Sequence, residues 1–193
     1  MPSISFQQYL INNLAIENIH LEEIADDLKT ISVKKNDFLL KAGAYCKETF
    51  FVDKGLLRQF SVDEKGKEHI LSFASENWFL TNRDSSYFDL PSPYYIQALE
   101  DSEVTVINED FLKTLTENFP SFTDFNTKLL HSHIRQLQKR INLLLSASAE
   151  DRYLNFIKMY PDILQRVPQS MIASFLGITP ESLSRVRRDL VLK

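Results

Sequence analysis

The chain has 193 residues, of which 44% are hydrophobic and 25% charged, with a net charge of −4 and one cysteine. That balance belongs to a folded globular protein and excludes a disordered tail, a collagen-like repeat and a disulfide scaffold. One thiol (Cys46), four glycines and the lack of a long apolar run likewise exclude an all-cysteine metal cluster, a glycine-rich phosphate loop and a membrane span. The charge is lopsided: residues 1–127 carry a net −10 and residues 128–193 a net +6. An acidic part joined to a basic part implies two regions with different partners, the basic one suited to a polyanion such as DNA. The first residues lack the basic stretch and apolar core of a signal peptide, so the cytoplasm is the expected compartment.

Helical spacing comes first, over residues 3–16 (Phe6, Leu10, Leu14) and 20–29 (Ile24, Leu28). Short β-branched or aromatic segments follow at 30–33, 38–41, 49–52, 56–62, 69–73, 94–99 and 104–107, with Gly43, Gly55 and Gly66 in three successive gaps. Many short strands joined by tight turns predict a jelly-roll β-sandwich. Residues 81–93, polar and with two prolines, read as a loop. The aromatic residues around it either line a cavity or fill the core; Phe79, Arg83, Tyr94 and Tyr95 are the candidates for an effector pocket. Cys46 reads as a structural thiol, and the isolated histidines suggest no metal site.

Beyond residue 109 the period becomes helical again. Phe111, Leu112 and Leu115 mark a short helix, and a longer one is expected over 121–146. Within it Leu130, Ile134, Leu137, Ile141 and Leu144 are spaced 4, 3, 4 and 3, two heptads of a and d positions. So narrow a seam either pairs with a second copy or packs on its own domain; a homodimer helix is the expectation. Ser146–Ala149 reads as a break before a helix over 150–159.

The strongest pattern is Pro168–Leu190. A helix over 169–176 has Met171, Ile172, Phe175 and Leu176 as its apolar stripe and the small Ala173 for close crossing. Gly177 suits a left-handed helix end, Ile178 an apolar plug, Thr179 an N-cap and Pro180 a first helical position. The second helix, 180–190, turns Leu183, Val186 and Leu190 inward and Glu181, Ser182, Ser184, Arg185 and Arg188 outward. This is a helix-turn-helix pattern, whose second helix reads base edges in the major groove. Arginine can bond both guanine acceptors and a carboxylate can accept from cytosine N4, which suits Arg185 and Glu181, one helical turn apart. Gln169, Ser170 and Thr179 complete the candidate contacts to double-stranded DNA.

In this order, the parts resemble the Crp/Fnr family of bacterial transcription regulators. The resemblance runs from about residue 20 to 190. It rests on Leu40-Lys41-Ala42-Gly43, on Phe50-Phe51-Val52-Asp53-Lys54-Gly55, on Gly66-Lys67-Glu68, on Gln97–Val104 and, most specifically, on Ile172–Arg185. It implies base contacts by Glu181 and Arg185. Pro180 stands where the family commonly has arginine, so a different DNA preference is implied. The family's nucleotide-binding members carry Gly-Glu-Leu and Arg-Ser or Arg-Thr in a phosphate cassette. Here the matching stretches are Glu76-Asn77-Trp78-Phe79-Leu80 and Ser92-Pro93, so cyclic AMP and cyclic GMP are not the expected effectors. One cysteine excludes the iron–sulfur centre of the Fnr branch.

The expected class is α+β: a jelly-roll β-sandwich flanked by helices (1–118), a long dimerisation helix (119–147) and a helix-turn-helix domain (148–193) with a short or absent wing. The expected function is a homodimeric, sequence-specific DNA-binding regulator on a near-palindromic site, with RNA polymerase a further candidate partner. No cofactor, catalytic residue or metal is expected, and a small-molecule effector is left unidentified. The alternative is a ligand-sensing module that acts through a protein partner. No catalytic motif supports an enzyme.

Overall fold

The structure, a computed structural model, describes residues 3–14 and 28–192. Its described elements run α1 (Phe6–Leu14), β1 (Lys29–Val33), β2 (Phe38–Leu40), β3 (Thr49–Lys54), β4 (Leu57–Val62), β5 (Glu68–Ala74), β6 (Phe79–Thr81), α2 (Arg83–Phe88), β7 (Tyr95–Ala98) and β8 (Ser102–Ile107). There follow α3 (Glu109–Asn118), α4 (Pro120–Ser146), α5 (Ala149–Met159), a 3-10 turn (Ile163–Gln165), α6 (Gln169–Leu176) and α7 (Pro180–Val191). The expected helix over 20–29 falls almost wholly outside the described residues, and Lys29 already belongs to β1.

The strands form two four-stranded sheets, ordered β1-β8-β3-β6 and β2-β7-β4-β5. Antiparallel pairing places Phe50 opposite Val106 and Leu57 opposite Ala98. Side chains alternate across a strand, so each sheet has an inner and an outer face. The inner faces meet in a core of Val33, Leu40, Phe50, Val52, Leu57, Ala74, Leu80, Ile96, Ala98 and Val104, joined by Cys46. The outer face of the first sheet is buried as well. Phe51 and Ile107 pack there against Phe6, Leu10 and Leu14 of α1, Phe111 and Leu115 of α3, and Phe122.

Asp53 ties α1 to this sheet, its carboxylate accepting from the Phe6 N–H at 2.9 Å and from the Thr105 hydroxyl at 2.8 Å. Burial raises its pKa above the usual aspartate range, against the opposing pull of these hydrogen bonds. At Gly55 the backbone is left-handed (φ +104°), and a Cβ would overlap Ser102, whose hydroxyl accepts from the Leu56 N–H.

Two features of the 79–93 stretch differ from expectation. Phe79–Thr81 is a strand on β3, too short for periodicity to reveal. Arg83–Phe88 is a helix of six residues, ended by the left-handed Asp89 just before Pro91 and Pro93.

By compactness the chain divides into two units, Met1–Val62 with Leu71–Lys128 and Asp63–Ile70 with Leu129–Lys193, so the tip of the β4–β5 hairpin groups with the C-terminal helices. Among the described residues no helix is long and apolar enough to cross a membrane, and no strand follows Ile107.

Candidate nucleic-acid interface

The site begins with two helix ends. α6 stops at Gly177, whose φ of 66° and ψ of 36° lie in the left-handed region. The turn then places Thr179 in extended conformation, where its hydroxyl oxygen accepts from the Ser182 N–H at 3.2 Å. Pro180 supplies the first helical residue, lacking only an N–H that a helix start leaves unpaired in any case. These local choices launch α7 in one direction, and Leu183 (1% exposed) anchors it against a core of Ile172, Ala173, Phe175 and Leu176.

The outward face of α7 carries Glu181, Ser184, Arg185, Arg187 and Arg188, all exposed. Glu181 lies at the positive end of the helix dipole. Its own backbone N–H and, secondarily, the Thr179 hydroxyl hold its carboxyl below the usual glutamate range, so it is ionised at neutral pH. Arg188 lies 3.6 Å from Asp189 in an exposed pair. The face therefore presents acceptor and donor groups of the kinds that read base edges.

Of the other residues assigned to DNA from sequence, Thr179 also fills the N-cap place expected of it. The Thr179 and Ser182 hydroxyls bond each other at 3.2 Å, so both are engaged in the cap, and Ser182 is half-buried. Gln169 is half-buried too, and its Oε1 is buried without a hydrogen-bond partner among the described residues. Ser170 is exposed at the start of α6.

The basic character of residues 128–193 is not all surface charge. The Arg140 Nη2 donates to the carbonyls of Phe175 (3.2 Å) and Ile70 (3.1 Å), and its guanidinium lies 4.0 Å from the centre of the Phe175 ring. The Arg152 Nη1 donates to the Leu176 carbonyl at 2.8 Å. No local pattern marks either role, because the partners are 24 and 35 residues away in the helical segment and 70 away in the hairpin.

The heptad positions Leu130, Ile134, Leu137, Ile141 and Leu144 are 39–56% exposed, and Leu145 beside them is 83% exposed. In α4, residues 130–139 are all exposed, so a continuous apolar line lies open along one helix.

The four candidates for an effector pocket do not converge. The Phe79 ring is 5.0 Å from that of Phe51 and 5.4 Å from Tyr9, on the helix-covered outer face of the first sheet. Tyr95 stacks on Phe60 at 5.0 Å, on the opposite side of β7 from the core residues Ile96 and Ala98. Arg83 is exposed, with its guanidinium 5.7 Å from the Tyr87 ring, and Tyr94 is half-buried. The error has a physical cause: with both faces of the first sheet buried, an aromatic residue in it gives no sign of which side it serves. Ser92, at the cassette position, is buried, its hydroxyl donating to the Tyr94 carbonyl and accepting from the Tyr94 N–H. Cys46 is buried, and burial followed by its hydrogen bond to Glu48 pushes its thiol up to about 12. It is protonated and unreactive at neutral pH.

Residues 30–119 match the family described as cyclic nucleotide-binding domain. The chain is 28% identical to the anaerobic regulatory protein of Haemophilus influenzae, over 95% of this chain and 77% of that one. It is also 28% identical to the fumarate and nitrate reduction regulatory protein of Yersinia pestis, over 95% of this chain and 79% of that one. FixK2 from Bradyrhizobium japonicum shares the fold with a TM-score of 0.73 at 16% identity, covering 86% of this chain and 85% of that one. A sandwich that matches the nucleotide-binding family and regulators as relatives along nearly the full length make the chain similar to transcription regulators of the Crp/Fnr type, whose fold it shares.

Proposed function

We propose that this regulator is a homodimer that binds a near-palindromic DNA site in the cytoplasm, reading bases with Glu181 and Arg185. The observation that carries the proposal is the outward face of α7, where Glu181, Ser184, Arg185 and Arg188 project from a capped helix start behind the left-handed Gly177 turn. Arg185 is suited to guanine and the ionised Glu181 to cytosine, while Arg187 and Arg188 are suited to phosphates. The open apolar line on α4 supports pairing of two copies, which would set two recognition helices about 34 Å apart.

The sandwich speaks against a cyclic nucleotide as effector. Buried side chains from Val33 to Val104 fill the space between the sheets, and the Ser92 hydroxyl is committed to Tyr94.

Selection of bound duplexes from a random DNA pool, at stated salt, tests the proposal. The protein is expected to enrich a two-fold symmetric sequence, and Arg185→Ala to lose one base preference in each half-site, at a cost of about 1–3 kcal/mol. An unchanged consensus in Arg185→Ala would remove the role given to that residue. Absence of enrichment by both the full chain and its 120–193 fragment would favour action through a protein partner.

A further inference from the structure

We propose that Arg140 is a positioning residue for DNA recognition, holding the helix-turn-helix at a set angle to the dimer seam. The inference rests on the DNA-binding reading above and names the part of the chain that controls the geometry of that site.

The argument starts from the last turn of α6. A helix leaves its final four carbonyls without intrahelical partners. Here those of Ala173, Ser174, Phe175 and Leu176 are all occupied. The Ile178 N–H bonds the Ala173 carbonyl at 3.0 Å and the Gly177 N–H bonds that of Ser174 at 3.1 Å, as the left-handed turn provides. Phe175 and Leu176 are held from elsewhere, by Arg140 at 3.2 Å and Arg152 at 2.8 Å. Two cations therefore sit at the negative end of the α6 dipole, at the point where the chain turns into the recognition helix.

Arg140 is the better placed of the two to set an angle. It lies on α4 directly before the seam residue Ile141 and one turn before Leu144. Its planar guanidinium lies over the Phe175 ring while reaching the carbonyls of both Phe175 and Ile70. The hairpin tip is fastened to the same helix by Ser174, whose hydroxyl accepts from the Ile70 N–H at 3.0 Å and donates to the Glu68 carbonyl at 3.1 Å. Leu144 itself meets the turn, since a Cβ on Gly177 would come within 3.2 Å of its Cδ2. Rotation of α4 about its axis thus carries the turn, and with it the start of α7. Burial lowers the pKa of Arg140, yet a guanidinium stays charged under all physiological conditions. Lysine cannot replace it, because a point ammonium has no flat face to lie on the Phe175 ring while its nitrogen reaches both carbonyls.

The test compares the full-length protein with Arg140→Lys and Arg140→Met. First, dimerisation is measured by sedimentation, and affinity is measured on the selected palindrome and on duplexes with one base pair added or removed between half-sites. Both variants are expected to remain dimers with an unchanged base consensus. Their affinity for the best-spaced duplex is expected to fall about tenfold, and their preference among spacings to flatten. A merely structural contact would weaken all spacings equally, so an unchanged spacing profile in folded, dimeric variants overturns the proposal while leaving DNA binding in place. Second, amide hydrogen exchange is followed in the absence of DNA. Residues 175–183 are expected to exchange about tenfold faster in both variants, with β3 and β8 unaltered. Equal exchange also overturns the proposal. If the unsubstituted protein enriches no duplex, the DNA reading fails first and takes the positioning role with it.

Discussion

The sandwich and the helix-turn-helix dispose of their polar groups in opposite ways. In the sandwich, buried polar side chains end on neighbouring protein groups: Arg58 on Gln97, Gln97 on the Asn36 carbonyl, Ser92 on Tyr94 and Cys46 on Glu48. Behind the helix-turn-helix, Arg140 of α4, Arg152 of α5 and Ser174 hold the C-terminal end of α6, while the outer side of the next helix, with Glu181 and Arg185, faces solvent. The first arrangement makes a closed scaffold. The second makes a presented surface, held rigid from behind. A buried polar group satisfied by its own protein contributes specificity of fold, whereas an exposed one on a rigid helix is available to a partner.

The largest effect expected from breaking this contrast lies on the α4 seam. A single charge among the apolar positions, as in Ile134→Asp, would face its own copy across a two-fold axis. Sedimentation is expected to find a monomer, and affinity for a palindrome should fall about 10²–10⁴-fold, the avidity lost when two linked half-sites become one. A monomer that kept full affinity would mean that one copy suffices and the open apolar line serves another purpose.

The contrast sharpens if the sandwich can be weakened without touching base preference. Gly55→Ala forces a Cβ onto Ser102 in a left-handed backbone, and a loss of about 2–4 kcal/mol is expected in denaturant unfolding. The fraction that remains folded should select the same DNA sequence as the unsubstituted protein. A changed consensus would show that the sandwich takes part in base reading.

How legible each region is from sequence follows from the range of its signals. The α6–α7 unit is marked by neighbours in the chain: Gly177, Thr179 and Pro180 each act within three residues, and both helices run close to where the apolar spacing puts them. The strands are visible for the same reason, as short runs between turns. What is not legible is which side of a strand meets what. Phe50 and Phe51 are adjacent and both buried, one in the inter-sheet core and one under α1, so alternation carries no polarity there. That is why the sequence leaves open whether Phe79 lines a pocket or fills the core. Ser148 illustrates a smaller miss: within an apparent Ser/Ala break it is the N-cap of α5, its hydroxyl accepting from the Asp151 N–H. Arg140 and Arg152 count as surface charge in the sequence because their carbonyl partners are distant along the chain and carry no side-chain signature.

The smallest expected effect tests the closed scaffold at a raised carboxylate. Asp53 is half-exposed, and the net effect of its surroundings is to favour the protonated form. Folding therefore takes up protons in the range just above the ordinary aspartate value of about 3.9. Stability rises with pH only where the unfolded state binds more protons, and here it binds fewer. The contribution of Asp53 is thus fully present below that value and is lost as the pH rises through the folded-state value. In the variant Asp53→Asn the side-chain amide would still accept from the Phe6 N–H and could donate to the Thr105 oxygen, without a charge to desolvate. The melting temperature of the unsubstituted protein minus that of Asp53→Asn should therefore become less positive from pH 4 to pH 7, by no more than about 2 °C for so exposed a group. A difference moving the other way would mean that the hydrogen bonds from Phe6 and Thr105 outweigh burial, and that Asp53 anchors α1 as a carboxylate.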